Sequence, residues 1–171
     1  MISAIIYTSA TGHTAQYAQL LCEATGLPVY SLKDSAALAA GREVIFLGWL
    51  MAGKIQGLAE ARKRFSVRCA CCTGMSPESE SLTHKLRLDN RVLGSDQLFY
   101  LQGGYDPARL NAAYRLVMNA ICAKLRRELG ARSDLNEGEQ ATLKMAQGAY
   151  SCVSAEKLRP VLSWFQAQRE A

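Results

Sequence analysis

One segment near the N-terminus constrains the fold of this chain more than any other. Residues 5–18 begin with the apolar stretch Ile5-Ile6-Tyr7, continue through a short run rich in Ser, Thr and Gly, and end in a helical pattern. This order predicts a buried strand, a tight loop and the first turn of a helix. Such a junction directs backbone N–H groups and the positive end of a helix dipole at one point, which favours a phosphate.

The loop of this segment offers neutral hydrogen-bond donors to such an anion. Ser9, Thr11 and Thr14 carry hydroxyl groups, and Gly12 lets the backbone approach a ligand closely because it has no Cβ. No Lys follows in the loop and no G-x-G-x-x-G pattern occurs, so neither a triphosphate-binding loop nor a dinucleotide fingerprint is indicated. The alternative is an ordinary strand–loop–helix junction in which Ser and Thr side chains cap the helix.

Composition limits the classes to which the chain can belong. Of its 171 residues, 49% are hydrophobic and 20% are charged, which is typical of a globular protein, and we expect one domain over residues 1–171. No long apolar run occurs and the chain leads directly into a strand, so we expect no membrane span, no signal peptide and a cytoplasmic location. The net charge is +5. The basic residues are not accompanied by the aromatic residues or the recognition helix typical of nucleic-acid binding, so we expect no nucleic-acid partner.

The six cysteines are expected to be reduced thiols, mostly buried, because no secretion signal accompanies them. Three of them crowd one predicted strand. Side chains alternate along a strand, so Cys69 and Cys71 would share one face while Cys72 points to the other. No fourth ligand stands at a familiar spacing, and no metal site is predicted.

Predicted strands and helices alternate along the chain, which indicates a parallel sheet covered on both faces. The strand at 43–48 is apolar at four consecutive positions, as burial on both faces requires. The longest helix is predicted to begin at Pro107, and we expect its apolar residues to join one core. The predicted strands are 3–7, 28–32, 43–48, 67–72 and 96–101, and the clearest predicted helices are 12–24, 137–147 and the C-terminal segment around 158–165.

The motif Ser9-x-Thr11-Gly12-x-Thr14, between an Ile-Ile-Tyr strand and Ala18, resembles the FMN-phosphate loop of flavodoxins. The resemblance covers nearly the whole chain in element order but is motif-specific only in this loop. It implies an α/β, flavodoxin-like three-layer sandwich, in which helices flank a five-stranded parallel sheet of order 2-1-3-4-5. Ligands of such sheets bind beyond the carboxyl ends of the strands, at the switch point between the first and third.

The resemblance implies that three loops hold non-covalently bound FMN, with no metal. The residues that it assigns to the cofactor are Thr8, Ser9, Ala10, Thr11, Gly12, His13 and Thr14 in the first loop, Trp49, Leu50, Met51, Ala52, Gly53 and Lys54 in the second, and Thr73, Gly74 and Met75 in the third.

Several of these positions depart from the flavodoxin pattern. Ala10 replaces a frequent hydroxyl residue, and Ala52 replaces an aromatic residue that commonly stacks on the flavin. Trp49 either supplies that aromatic surface or packs in the core. His13 either adds charge to the phosphate or is an exposed loop histidine, and we expect the latter. Lys54 either lies near the ring and makes the reduction potential less negative by Coulomb attraction, or points to solvent.

The resemblance implies a flavin that carries electrons. Electron transfer is favoured over substrate turnover because the sequence offers no catalytic triad, paired carboxylates or metal-ligand spacing. One alternative is a flavin-dependent oxidoreductase, either a quinone reductase or a protoporphyrinogen-type dehydrogenase, since residues 102–107 resemble the turn of a subgroup that includes menaquinone-dependent protoporphyrinogen oxidases. The other is a non-redox module that binds a phosphorylated ligand. The basic surface favours an acidic redox partner, and the oligomeric state stays open.

Overall fold

The computed structural model describes residues 1–94, 96–110 and 112–170. Within these ranges, helices cover both faces of a mostly parallel sheet. The strands of this sheet are β1 (Ala4–Tyr7), β2 (Val29–Ser31), β3 (Glu43–Met51), β4 (Lys54–Ile55), β5 (Ser66–Gly74) and β6 (Gln97–Gln102). A separate pair consists of β7 (Gly104–Tyr105) and β8 (Tyr150–Ser151). The helices are α1 (His13–Thr25), α2 (Leu58–Arg64), α3 (Glu80–Asp89), α4 (Ala112–Leu129), α5 (Glu137–Gln147) and α6 (Arg159–Glu170).

The main sheet has the strand order β2-β1-β3-β5-β6, and β4 pairs with the end of β3. Every neighbouring pair is parallel except β3 and β4. The α/β class, the mostly parallel sheet and the helices on both faces are therefore confirmed. The strand count differs from the predicted five, because β3 continues past its expected end to Met51 and the chain folds back as β4.

A two-residue turn connects β3 to β4. Ala52 and Gly53 have φ angles of 49° and 77°, and positive φ at both central residues is what the tight hairpin turn of type I′ requires. Met51 consequently pairs with Lys54 across the hairpin. Much of the segment that was predicted as a loop, residues 49–57, is therefore a hairpin at the carboxyl end of β3.

The alternation of side chains along the strands builds one apolar layer on each face of the sheet. Ile6 and Phe46 belong to a buried cluster with residues of α2 and α3. Ile5 and Ile45 belong to a second cluster with residues of α1 and α6. All four side chains are fully buried, so the central strands are apolar on both faces as their sequences predict.

The cysteines follow the same alternation. Cys69 and Cys71 lie in the cluster on the α1 side, and Cys72 lies in the cluster on the α2 side. All six cysteines are free, and four of them are buried. The prediction of reduced, mostly buried thiols with Cys72 on the opposite face is confirmed.

Helix α4 differs from its prediction at its start and in its packing. It begins at Ala112, since Pro107–Arg109 forms only a short 3₁₀ turn, while Asn111 lies outside the described residues. The expectation that its apolar residues join one core is wrong, because Tyr114, Val117 and Ile121 are exposed. Both faces of the sheet are already covered by the other helices, so little of the sheet is left for α4 to bury.

The helix packs instead against α5 and the β7–β8 pair. They share a small buried cluster of Tyr105, Cys122, Met145 and Ala146. The pair is tied to the main sheet through Gly103, whose N–H donates to the Gly74 carbonyl at 2.8 Å and whose carbonyl accepts from the Cys152 N–H at 2.6 Å. The unit of β7, α4, α5 and β8 is therefore anchored beside the carboxyl ends of β5 and β6.

Across the described residues, the helices include none whose length and apolar character would suffice to cross a membrane.

Candidate functional site

A pocket of about 740 Å³ lies at the carboxyl ends of β1, β3 and β5. The loops that follow these three strands all contribute to it, as the sequence predicts for the switch point of an α/β sheet. The predicted site residues that line it are Ala10, Thr11, His13, Thr14, Trp49, Leu50, Met51, Ala52, Thr73, Gly74 and Met75. The predicted residues outside its lining are Thr8, Ser9, Gly12, Gly53 and Lys54.

Two hydroxyl groups of the first loop form hydrogen bonds within the protein and do not line the pocket. Thr8 Oγ1 donates to the Gln56 carbonyl at 2.6 Å, and Ser9 Oγ accepts from the Gly12 N–H at 3.1 Å. Gly12 has a φ of 94°, a left-handed conformation that glycine adopts without strain. These bonds fix the conformation of the loop. Thr11 and Thr14, which follow, line the pocket.

The N-terminus of α1 has no side-chain cap in the described structure. The first helical hydrogen bond runs from the Gln16 N–H to the Gly12 carbonyl at 3.0 Å, so the N–H groups of His13, Thr14 and Ala15 have no partner within the helix. No acidic residue lies in the first turn. The alternative in which Ser and Thr side chains cap this helix is therefore wrong, and the helix end suits an anion.

His13 is buried, with only 7% of its surface exposed, so the expectation of an exposed loop histidine is wrong. Its Nδ1 lies 3.0 Å from Thr11 Oγ1. The backbone of β7 covers the ring so closely that a Cβ at Gly104 would lie 2.7 Å from His13 Nε2. Burial lowers the pKa of His13 below its ordinary value. The negative charge of Asp106 acts in the opposite direction, and the positive charge of Arg109 lowers the pKa slightly further.

Thr73, the last but one residue of β5, carries an unsatisfied hydroxyl. The residue is 6% exposed, and its Oγ1 has no hydrogen-bond partner among the described residues. It nevertheless lines the pocket. A buried hydroxyl without a partner is costly in folded proteins, so this residue is a candidate contact for a ligand of the pocket.

The second loop presents one aromatic and several aliphatic groups. Trp49 is half-buried and lines the pocket, while Met51 and Ala52 are exposed at the tip of the β3–β4 hairpin. The Tyr114 hydroxyl of α4 lies 3.6 Å from Met51 Sδ and donates to it. Of the two roles considered for Trp49, the position at the pocket is the observed one.

Lys54 lies away from this pocket. The hairpin turn carries it onto β4, where it is exposed and its Nζ donates to the Asp89 carbonyl at the end of α3. The neighbouring Gly53 carbonyl accepts from Asn90 Nδ2 at 2.9 Å. The structure thus does not bring Lys54 to the pocket, and its exposed position matches the second of its two predicted alternatives.

One wall of the pocket comes from a region that the sequence did not assign to the site. Its residues, at the start of α4 and just before it, are Arg109, Leu110, Tyr114, Val117 and Met118. The 3.6-residue apolar period of α4 was visible in the sequence, but it predicts only that one face is apolar. Nothing in the sequence shows that this face borders a ligand pocket rather than a core.

Arg109 lies over the first loop. A Cβ built at Gly12 would collide with its guanidinium, whose Cζ would be 3.4 Å away. Its Nε lies 3.2 Å from the Asp106 carboxylate, and Asp106 also accepts from the Ala108 N–H at 3.0 Å. The pocket therefore combines the N-terminus of α1 and Arg109 with a lining that is otherwise mostly apolar.

In comparisons with known proteins, no family model, no curated protein and no solved structure matched this chain. Among the described residues no group of three or more His, Cys, Asp or Glu side chains is placed to hold a metal ion.

Proposed function

We propose that this chain is an FMN-binding, flavodoxin-like redox protein that transfers electrons through a non-covalently held flavin. The observation that carries the proposal is that the uncapped N-terminus of α1 and Arg109 meet a pocket of about 740 Å³ with a mostly apolar lining. This pocket lies at the carboxyl ends of β1, β3 and β5, where sheets of this class bind their ligands. The flavodoxin-like description fits the sheet as well. When the hairpin strand β4 is left out and the parallel strands are numbered one to five along the chain, the order β2-β1-β3-β5-β6 becomes 2-1-3-4-5.

The residues present fit the two ends of FMN. The uncapped N–H groups of α1, with the hydroxyls of Thr11 and Thr14, suit a phosphate. Trp49 and Met75 border the apolar part of the pocket. The volume of about 740 Å³ lies within the usual range of cofactor pockets, about 300–1,000 Å³.

The chemistry would belong to the cofactor, because flavins carry electrons singly or in pairs. The protein's own contribution is to anchor the phosphate, to orient the ring and to exclude water from one of its sides. The apolar groups of Leu110, Val117 and Met118 are placed for the last of these tasks.

The decisive experiment is an absorption spectrum of the purified protein after incubation with FMN and removal of unbound cofactor. We expect bands near roughly 370 and 450 nm that dithionite bleaches. The variant Thr14→Val should bind FMN more weakly by about tenfold, since one donor to a charged group is lost. Thr142→Val, on α5 and outside the pocket lining, is the matched control and should bind as the wild type does. A colourless protein with excess FMN would refute the proposal and leave a different phosphorylated ligand as the candidate.

A flavin-dependent oxidoreductase is the second candidate, and the α4 wall favours it. Leu110, Tyr114, Val117 and Met118 extend the pocket beyond the three loops, which provides room for an organic substrate beside the ring. Stopped-flow reoxidation of the reduced holoprotein by a water-soluble quinone distinguishes the two candidates. A rate that saturates with quinone concentration would indicate a substrate site, whereas a rate that stays strictly proportional to concentration favours an electron carrier.

The net charge of +5 supports an acidic redox partner, although part of the basic surface serves the fold. Arg62, Arg64 and Arg126 each donate to a backbone carbonyl of this chain. Long-range steering by the remaining charges should weaken as salt is added. Association rates with an acidic electron-transfer protein that do not change between low and high ionic strength would contradict this part of the proposal.

A further inference from the structure

We infer that Arg109 binds the anionic end of the ligand, as a fourth element of the site that lies outside the three loops. The inference rests on the proposed function for the identity of the anion, which would be the FMN phosphate. The first two observations behind it are the position of the guanidinium and the charges around it. The third is an unsatisfied hydroxyl in the same pocket.

The position of Arg109 follows from the loop beneath it. Its guanidinium occupies the space that a side chain at Gly12 would fill, directly at the residue that precedes α1. Its Nε is oriented by Asp106 at 3.2 Å, and Asp106 is itself fixed by the N–H of Ala108. The Nη1 side of the fork therefore faces the first loop, and a guanidinium presents several donors in a fixed plane that suits phosphate oxygens.

Two positive groups at this point share one carboxylate, that of Asp106. The positive end of α1 and the guanidinium lie side by side, and the first turn of α1 contains no acidic residue. His13 is beneath them and buried. Asp106 is the carboxylate that contacts Arg109, and one partly exposed carboxylate leaves the helix end uncompensated. A phosphate would satisfy both the helix end and Arg109.

Thr73 lines the same pocket and carries an unsatisfied hydroxyl. It is more than nine-tenths buried and has no partner among the described residues. A Cβ at Gly103 would lie 2.5 Å from Thr73 Cγ2 and 3.3 Å from His13 Cβ, so this side chain adjoins the first turn of α1. Residues of α1, β5 and the segment before α4 thus meet beside the first turn of α1.

The test compares FMN with riboflavin, which lacks the phosphate, on three proteins. We expect Arg109→Gln to raise the Kd of FMN by about ten- to a hundredfold, the effect of losing a charged hydrogen bond, and to leave the Kd of riboflavin unchanged. Arg115→Gln is the matched control, because Arg115 is exposed on α4 and outside the pocket lining. It should change neither value. Added salt should weaken FMN binding more in the wild type than in Arg109→Gln.

Two results would overturn the inference. One is an Arg109→Gln variant that binds FMN as tightly as the wild type does. The other is an equal loss of FMN and riboflavin, which would show that Arg109 only supports the shape of the pocket. If the wild type binds neither flavin, the proposed function fails and inorganic phosphate becomes the probe. A phosphate-dependent rise in Tm that Arg109→Gln abolishes would then support the inference, whereas its absence from the wild type or its persistence in the variant would refute it.

Discussion

The central sheet and helix α4 carry apolar residues at equally regular spacing, but they use them differently. Ile45 of β3 is fully buried between the sheet and the helices of one face, whereas Ile121 of α4 is 43% exposed. Val117, one turn earlier on α4, is also exposed and lines the pocket. The comparison shows that an apolar period predicts an apolar face but not what that face meets.

The difference follows from the order in which surfaces are covered. Helices α1 and α6 cover one face of the sheet, and α2 and α3 cover the other. The unit of β7, α4, α5 and β8 is attached at the sheet's edge and has only its own small cluster to bury. Its remaining apolar residues are therefore available as a pocket wall.

Truncation of one isoleucine in each region gives the largest expected effect. Ile45→Ala should lower the free energy of unfolding by about 2–5 kcal/mol, because it leaves a cavity in a fully packed core. Ile121→Ala should lower it by less than about 1 kcal/mol, because half of that side chain's surface remains in water. Urea unfolding of both variants measures the difference. Equal losses would mean that α4 is buried in solution as deeply as the sheet is.

A substitution at Gly104 tests how firmly the α4 unit is attached. A Cβ there would collide with the Tyr150 carbonyl and approach His13 Nε2 to 2.7 Å, so Gly104→Ala should cost about 1–3 kcal/mol through overpacking. We expect faster proteolytic cleavage within residues 105–149, with the sheet still protected from hydrogen exchange. Asn119→Ala, exposed on α4, is the control and should not increase cleavage. Cleavage spread evenly over the whole chain would show that the unit and the sheet unfold together.

The hydroxyl of Thr73 separates a role in the fold from a role in binding. Thr73→Val replaces a buried, unpartnered hydroxyl with a methyl group of similar size, so the free energy of unfolding without ligand should stay the same or rise. The Kd of FMN should increase by about tenfold, because the hydrogen bond to the ligand is lost. The substitution should therefore weaken FMN binding without lowering the stability of the ligand-free protein. A loss of stability with unchanged FMN binding would make this hydroxyl a structural one.

Local signals explain why most of the sheet could be predicted. The apolar run over 43–48 needs two covered faces, and the alternation of Cys69, Cys71 and Cys72 fixes their sides. The predicted helix over 137–147 is confirmed as α5, whose start is determined by a capping box between Asn136 and Glu139. Each of these features depends on residues close together in the sequence.

The parts that were not predicted depend on distant contacts. The β7–β8 pair joins residues more than forty positions apart, Tyr105 with Tyr150, and two-residue strands have too little sequence to show a period. The position of Arg109 over Gly12 follows from that pair and from the short turn before α4. His13 was expected to be exposed because nothing near it in the sequence indicates that β7 covers it.

The burial of His13 gives the smallest expected effect, a dependence of stability on pH. Its pKa is lowered from the ordinary 6.5, so below this pH the unfolded chain binds a proton that the folded chain does not. The free energy of unfolding should therefore be fully retained above pH 6.5, and it should decrease as the pH falls through the lowered pKa. Measurements between about pH 5 and 8 on wild type, His13→Gln and His84→Gln isolate the effect, since His84 is exposed. A dependence that persists in His13→Gln would place the titrating group elsewhere. If Gly104→Ala also reduces the pH dependence, the packing of β7 against the His13 ring is what keeps this ring neutral.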